Sequence, residues 1–365
     1  MSISDELLII DNRVTFKNNT FSNYKKTAVI NTLLKSILEG RIEASCHWCA
    51  ELHMSGYIDI LFEKLVILSS KIINIKNPKL PEYILGKYIE YKKIENKSGN
   101  SLSTRNNNQL RSELCELISV MTLSRKSSAY KLIKLSSTDF DFQNIKQKLS
   151  NVNVNLVKSK LKEEDPIELQ LIASEIYNNL QTKMINNIIY WISWMCQWES
   201  ISNKNKKKYE CGYREIKMID SKLKKDWIWL IWDIIINYPT SVDINHQILC
   251  LFKLFRINYS KSKKNIRIPL LIHSILLLVD EYNINTPLKF NNEVINKAKN
   301  NVNFLYSQIY NQYKSANNSA VIIEKPKPKE NDKSNEKKKK NKKDDICDKS
   351  IEKMNIVSKL YDSMF

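Results

Sequence analysis

The sharpest concentration of reactive side chains is Cys46-His47-Trp48-Cys49, followed by His53. On a helix, Cys46, Cys49 and His53 stand at i, i+3 and i+7, a stripe of three soft ligands that could hold zinc. No fourth ligand lies nearby, and structural zinc sites draw their ligands from a turn followed by a second element. Small buried cysteines on a packed helix account for the same pattern. The sequence therefore reads as having no metal and no cofactor, with Cys46, Cys49 and His53 as the only metal candidates.

Tyr190, Trp191, Trp194 and Trp198 form a second feature, and Trp227, Trp229 and Trp232 a third. Aromatics interleaved with lysines can stack bases. Trp191, Trp194, Met195 and Trp198 fall at helical spacing, however, which favours a helix–helix core. For catalysis, four histidines (47, 53, 246 and 273) offer little general-base capacity, and none lies beside a Ser or Cys in a hydrolase-type strained turn. Five glycines, the nearest pair 13 residues apart, leave no phosphate loop and no dinucleotide turn. The chain is expected not to be an enzyme.

Charge points instead to a polyanion. There are 58 Lys and Arg against 39 Asp and Glu, a formal +19, and 42% of the 365 residues are apolar. Segment 324–343 holds ten Lys against four acids, while residues 1–323 keep +15. Clustered cations that neutralise phosphates release counterions, so DNA or RNA backbone is the expected partner. Lys204, Lys206, Lys207 and Lys208, with Lys337, Lys338, Lys339 and Lys340, are the candidate contacts, although such runs are often solvated charge. Lys337–Lys340 also fits a nuclear import signal.

The elements that must position these groups are helical. Scarce glycine, eight prolines and long 3.6-residue apolar periods predict an all-α fold of about ten helices in two packed subdomains. Helices are expected over 27–38, ending at Gly40, over 42–54, ending at Gly56, and over 58–72. A fourth starts near Pro81 and a fifth spans 109–123. Asp165-Pro166 opens a pattern that runs to about Ser200. Further helices are expected over 222–237, 243–255, 269–282 and 292–314. The implied layout is an N-terminal segment (1–24), a helical interaction domain (25–140), a Trp-rich helical domain (141–315), a disordered basic linker (316–345) and an amphipathic C-terminal helix (346–365). In that last helix Leu360, Tyr361, Met364 and Phe365 would dock on a protein partner or fold back on the body. Seven scattered cysteines, an acidic N-terminus and no apolar stretch of about 20 residues predict a reducing intracellular setting and no membrane.

Residues 30–85 followed by 113–133 resemble the C-terminal, collar-like helical domain of the clamp-loader-like AAA+ replication-associated recombination ATPases. The matching features are Ala44–Cys49 with Trp48, the Gly56 turn, the Leu65–Ser70 block, Asn77-Pro78, and Lys126-Ser127-Ser128-Ala129-Tyr130, which is one residue shorter than the family's Lys-Ser-x-x-Ala-Tyr. The family's Ser-Glu-Asp-Ile-Gly block is Ser70-Lys71-Ile72-Ile73-Asn74 here, and its ATPase module is missing. The rest of the chain is similar to an uncharacterised family of nucleocytoplasmic large DNA viruses. The resemblance implies module packing through Trp48, Lys126, Ser127 and Tyr130, homo-oligomer formation, and an assembly role without ATP hydrolysis. The expected function is a non-enzymatic scaffold of a viral replication, repair or transcription nucleoprotein complex, in host cytoplasm, viral factory or virion. The alternative is a structural core protein that neutralises packaged nucleic acid.

Overall fold

A computed structural model of the chain describes residues 7–13, 15–149, 154–205 and 209–321. Lys206–Lys208, Lys337–Lys340, the linker from residue 322 onward, and Leu360, Tyr361, Met364 and Phe365 lie outside them. Among the described residues there are fourteen α-helices and no strand, so the fold is all-α. The first six are α1 (Lys26–Leu38), α2 (Ile42–Met54), α3 (Ile58–Leu68), α4 (Leu80–Ser98), α5 (Ser101–Arg105) and α6 (Asn108–Leu123). Then follow α7 (Phe142–Lys148), α8 (Ile167–Gln181), α9 (Ile185–Lys204) and α10 (Ile228–Ile236). The last are α11 (Val242–Arg256), α12 (Lys261–Val279), α13 (Asn292–Asn300) and α14 (Val302–Val321).

Helix ends follow local chemistry. Gly40 and Gly56 adopt φ of +75° and +70° after α1 and α2. Arg41 N then donates to Ser36 O, and Tyr57 N to Leu52 O, each at 3.0 Å, closing both ends as Schellman turns. The pattern expected to run from 165 to 200 is two helices, because Lys183 takes the same left-handed role at φ +57° and Met184 N reaches Asn179 O at 2.9 Å. The expected 292–314 helix breaks at Asn301 and its second half continues to Val321. The expected 58–72 helix stops at Leu68 and passes into a single wide turn, Ser69–Ile73, with π-type bonding. Helix α10 begins only at Ile228, after a loop that occupies most of 209–227.

Pro269 does not start a helix as expected; it lies inside α12, which begins eight residues earlier at Lys261. A proline there forfeits one backbone bond. The first turns hold because Lys264 and Arg267 are buried and anchored, Arg267 donating to Phe255 O (2.7 Å) and Ile257 O (2.6 Å).

Two compact units emerge, neither continuous in sequence. Of the described residues, unit 1 comprises those in 7–65, 86–124 and 289–321, and unit 2 those in 66–85 and 125–288. Residues 25–140 therefore contribute to both. Segment 7–24 is an integral part of unit 1, with Ile9 and Phe21 buried.

In unit 1, α2 packs against α1, α6, α13 and α14, and its residues from Ala44 to Met54 are all buried. Arg105 and Arg111 hold the N-terminal segment in place. Arg105 donates to Asp11 and to Met54 O (3.0 Å each), and Arg111 donates to Leu7 O (3.0 Å). Burial drives His47 down to about 4, and burial with the field of Arg111 and Arg105 drives His53 to about 3. Burial alone would raise the Glu116 carboxyl, but Lys289 and Lys299, each at 2.5 Å, and the field of Lys87 hold it at about 2. All three depressed values have the same sign. The unfolded chain binds more protons once pH drops below 6.5 for the imidazoles and 4.5 for the carboxyl, so stability is full above these values and declines below them. Denaturant melts at stepped pH should show the unfolding free energy of unit 1 dropping from pH 7 to 4. A flat profile would contradict buried neutral imidazoles.

In unit 2, α12 packs against α8, α9, α10 and α11. Trp191 and Trp194 are fully buried, as their helical spacing predicts, whereas Trp198 of the same stripe is only half-buried; Trp227, Trp229 and Trp232 are fully buried as well. Within this apolar setting lies a charge cluster. Lys264 Nζ sits 2.8 and 2.9 Å from the Asp226 oxygens and 2.5 Å from Glu199. Tyr259 donates to Asp226 (3.0 Å) and Trp227 Nε1 to Glu199 (3.1 Å). A second buried pair, Arg214 on Asp165 at 2.6 and 3.0 Å, is joined by the Gly212 amide at 2.9 Å. A Cβ at Gly212 would stand 2.6 Å from the Lys162 Cβ. Gly212→Ala is expected to destabilise unit 2 by about 1–3 kcal/mol, the ordinary cost of overpacking, as read from the denaturation midpoint. An unchanged midpoint would show that the loop can shift freely.

Candidate nucleic-acid interface

The Cys46, Cys49 and His53 stripe does not converge on a common point. Cys46 Sγ faces Cys115 Sγ (3.5 Å) and Ser119 Oγ (3.6 Å) on α6, while His53 Nδ1 pairs with Tyr306 OH on α14 (2.8 Å). Among the described residues no three His, Cys, Asp or Glu side chains are grouped as metal ligands. The six described cysteines are free and buried. Trp48 is packed in unit 1, edge-on to Tyr24 at 5.8 Å.

Lys126, Ser127 and Tyr130 belong to unit 2, where they meet the residues after the Leu65–Ser70 block. Ser127 N donates to Ile72 O (2.6 Å), and Ser127 Oγ accepts from Asn74 Nδ2 (2.6 Å). Asn74 is held at φ +37°, ψ −125°, a strained backbone for a residue with a side chain. Tyr130 lines a gap with Ser70, Asn74 and Pro269 that has no room for a water. Burial lowers the Lys126 ammonium to about 8. Lys126, Ser127 and Tyr130 thus lie in a different unit from Trp48, with which the family resemblance groups them.

Two juxtapositions escape sequence reasoning because their partners are far apart. Ser70 Oγ lies 3.4 Å from His273 Nδ1, and His246 Nε2 lies 3.1 Å from Glu82 and 3.7 Å from Cys250 Sγ. Neither is equipped for nucleophilic chemistry. Ser70 and His273 are buried beside the closed gap, with the imidazole driven to about 3, and burial pushes the Cys250 thiol up to about 11, so little thiolate exists at neutral pH.

Positive charge is concentrated on unit 2. Its residues include 28 Lys and Arg against 17 Asp and Glu, a formal +11. The α9–α10 connection and the end of α11 bring several of these cations together. Cys211 N and Arg214 N donate to Lys225 O and Lys224 O (3.0 Å each), pinning the two arms of the loop to each other. Arg256 Nη1 donates to Lys217 O at 3.1 Å and stacks over Phe252 at 4.5 Å, tying the loop to α11. Lys217, Lys222, Lys225 and Lys253 are exposed around this junction, and Lys204 is exposed at the end of α9. The nearby acids are engaged: Glu215 pairs with Lys224 (2.5 Å), and Asp220 caps the Lys222 amide (2.9 Å). Met218, at φ +65° and 93% exposed, projects from the same loop.

No family model, curated protein or solved structure matches this chain.

Of the polyanion contacts that composition suggests, Lys204 alone lies among the described residues. Lys217, Lys222, Lys225 and Lys253 carried no sequence signal. They are scattered among Asp and Glu along the chain, and only the backbone pairing of the loop and the Arg256 tie gather them. Among the described residues no helix is long and apolar enough to cross a membrane.

Proposed function

We propose that the chain is a non-enzymatic, all-helical assembly protein of a nucleoprotein complex, one that holds nucleic-acid backbone on the basic junction of unit 2. The observation that carries this reading is the cationic junction itself. Three exposed lysines, Lys217, Lys222 and Lys225, stand on a loop whose arms are pinned to each other and to α11, the helix that carries the fourth, Lys253; neighbouring Glu215 and Asp220 are already engaged. Pre-organised cations bind phosphates with little ordering cost, and each phosphate neutralised releases counterions. The exposed Met218 would add apolar contact with sugar or base edges, a use that methionine serves at nucleic-acid surfaces. The resemblance to the collar-like domain and to proteins of large DNA viruses would place this binding in replication, repair or transcription machinery. A protein partner engaged through the C-terminal segment belongs to the same reading.

The test is fluorescence anisotropy with labelled single-stranded DNA, duplex DNA and RNA across a salt series. The expected result is affinity that falls linearly in log–log form with salt, with a slope of several phosphates. Absence of binding at about 50 mM salt would overturn the proposal.

A further inference from the structure

Unit 1 carries an apolar cleft of about 160 Å³ that the nucleic-acid role does not use. Ile42 and Cys46 on α2, Val294 and Ala298 on α13, and Phe304 and Leu305 on α14 wall it. Phe304 is 65% exposed, an unusual state for a phenyl ring beside apolar surface. Small-molecule pockets usually offer roughly 300–1,000 Å³, so this cleft is better matched to one or two apolar side chains presented by a helix.

We propose that the occupant is residues 346–365 of the same chain. Helix α14, which forms one wall, is the last described element and hands the chain on at Val321. Beyond it, residues 322–345 are mostly Lys, Glu, Asn and Pro, and apolar residues return in Ile351, Met354, Val357, Leu360, Tyr361, Met364 and Phe365. These recur at three- and four-residue spacing, the pattern of one apolar helical face. Along α14, Phe304 lies about 25 Å before Val321 at 1.5 Å per residue. A polar linker of that length has a root-mean-square span of about 25–30 Å, enough to bring the final segment back to the cleft. Tethering then acts as a local concentration in the millimolar range, which favours the chain's own segment over a second copy. A protein partner that uses this segment must first displace it from the cleft.

A synthetic peptide of residues 346–365, labelled with a fluorophore on Cys347, tests this by anisotropy. It is expected to bind the full chain carrying Leu360→Glu and Phe365→Glu, and to bind the unaltered chain at least about tenfold more weakly, because there the cleft is filled. Adding Phe304→Glu to the double variant should abolish binding, and this exposed site is not expected to disturb folding, as an unchanged melt would confirm. A peptide carrying Leu360→Glu should fail to bind, a control that is independent of protein folding. The proposal is overturned if the peptide does not bind the double variant, or if it binds the unaltered chain equally well. It is also overturned if the unaltered chain forms a concentration-dependent dimer that Phe304→Glu dissolves, since the segment would then sit in a second copy.

Discussion

Replacing Lys264 with alanine is expected to lower the unfolding free energy of unit 2 by about 3–5 kcal/mol, the cost of leaving a buried charge without its partner. The ammonium is buried between Asp226, at 2.8 and 2.9 Å, and Glu199, at 2.5 Å, and lies 5.0 Å from the centre of the Trp227 ring. Removing it brings two carboxylates together inside an apolar core with no cation between them. Water cannot readily compensate, because Asp226, Trp227 and Tyr259 are themselves buried. Replacing only Asp226 by Asn should cost less, since Lys264 keeps Glu199 and the Tyr259 hydroxyl keeps an acceptor. Urea titration followed by tryptophan fluorescence gives both numbers, with Trp227 and Trp229 beside the cluster as reporters. A loss below about 1 kcal/mol for Lys264→Ala would mean that water reaches the site and that the charges are not buried as a unit.

Reversing Lys217, Lys222, Lys225 and Lys253 to Glu together is expected to weaken nucleic-acid binding by at least about 100-fold near 100 mM salt. Counterion release sets the size of this effect. Each lysine that neutralises a phosphate adds about 0.9 to the slope of log affinity against log salt on duplex DNA, so losing four should flatten that slope by about 3–4. The side chains are exposed, and surface substitutions away from caps and buried networks usually change stability by no more than about 0.5 kcal/mol. The folded loop should therefore survive, held by the Cys211–Lys225 and Arg214–Lys224 backbone bonds and the Arg214–Asp165 pair. An unchanged slope in the quadruple variant would show that phosphates bind elsewhere.

How much of this was legible in the sequence differs by feature. Helix ends marked by glycine were readable, because Gly40 and Gly56 occupy left-handed backbone that other residues resist. The break between α8 and α9 was not, because Lys183 accepts the same strained backbone without the compositional mark. Pro269 misled for the opposite reason. It carries the mark of a helix start, yet α12 runs through it on the strength of two buried cations anchored at long range. Trp191 and Trp194 were readable as core from helical spacing, whereas Trp198 at the same spacing is only half-buried. The discontinuous units were not, since α13 and α14 complete unit 1 from the far end of the chain and periodicity says nothing of which helices meet. The candidate interface failed to appear for a related reason. Runs such as Lys204–Lys208 announce themselves in composition, whereas Lys217 and Lys253 become neighbours of one surface only through the hydrogen bond from Arg256.

The most direct test of a localised interface on unit 2 compares two quadruple variants with the same net charge. One carries Glu at Lys217, Lys222, Lys225 and Lys253; the other carries Glu at Lys35, Lys93, Lys97 and Lys314, exposed lysines of unit 1. Binding of a labelled oligonucleotide at fixed salt should collapse in the first and stay within about threefold of the unaltered chain in the second. Equal losses in both would contradict a localised interface and assign the binding to the overall charge of +19.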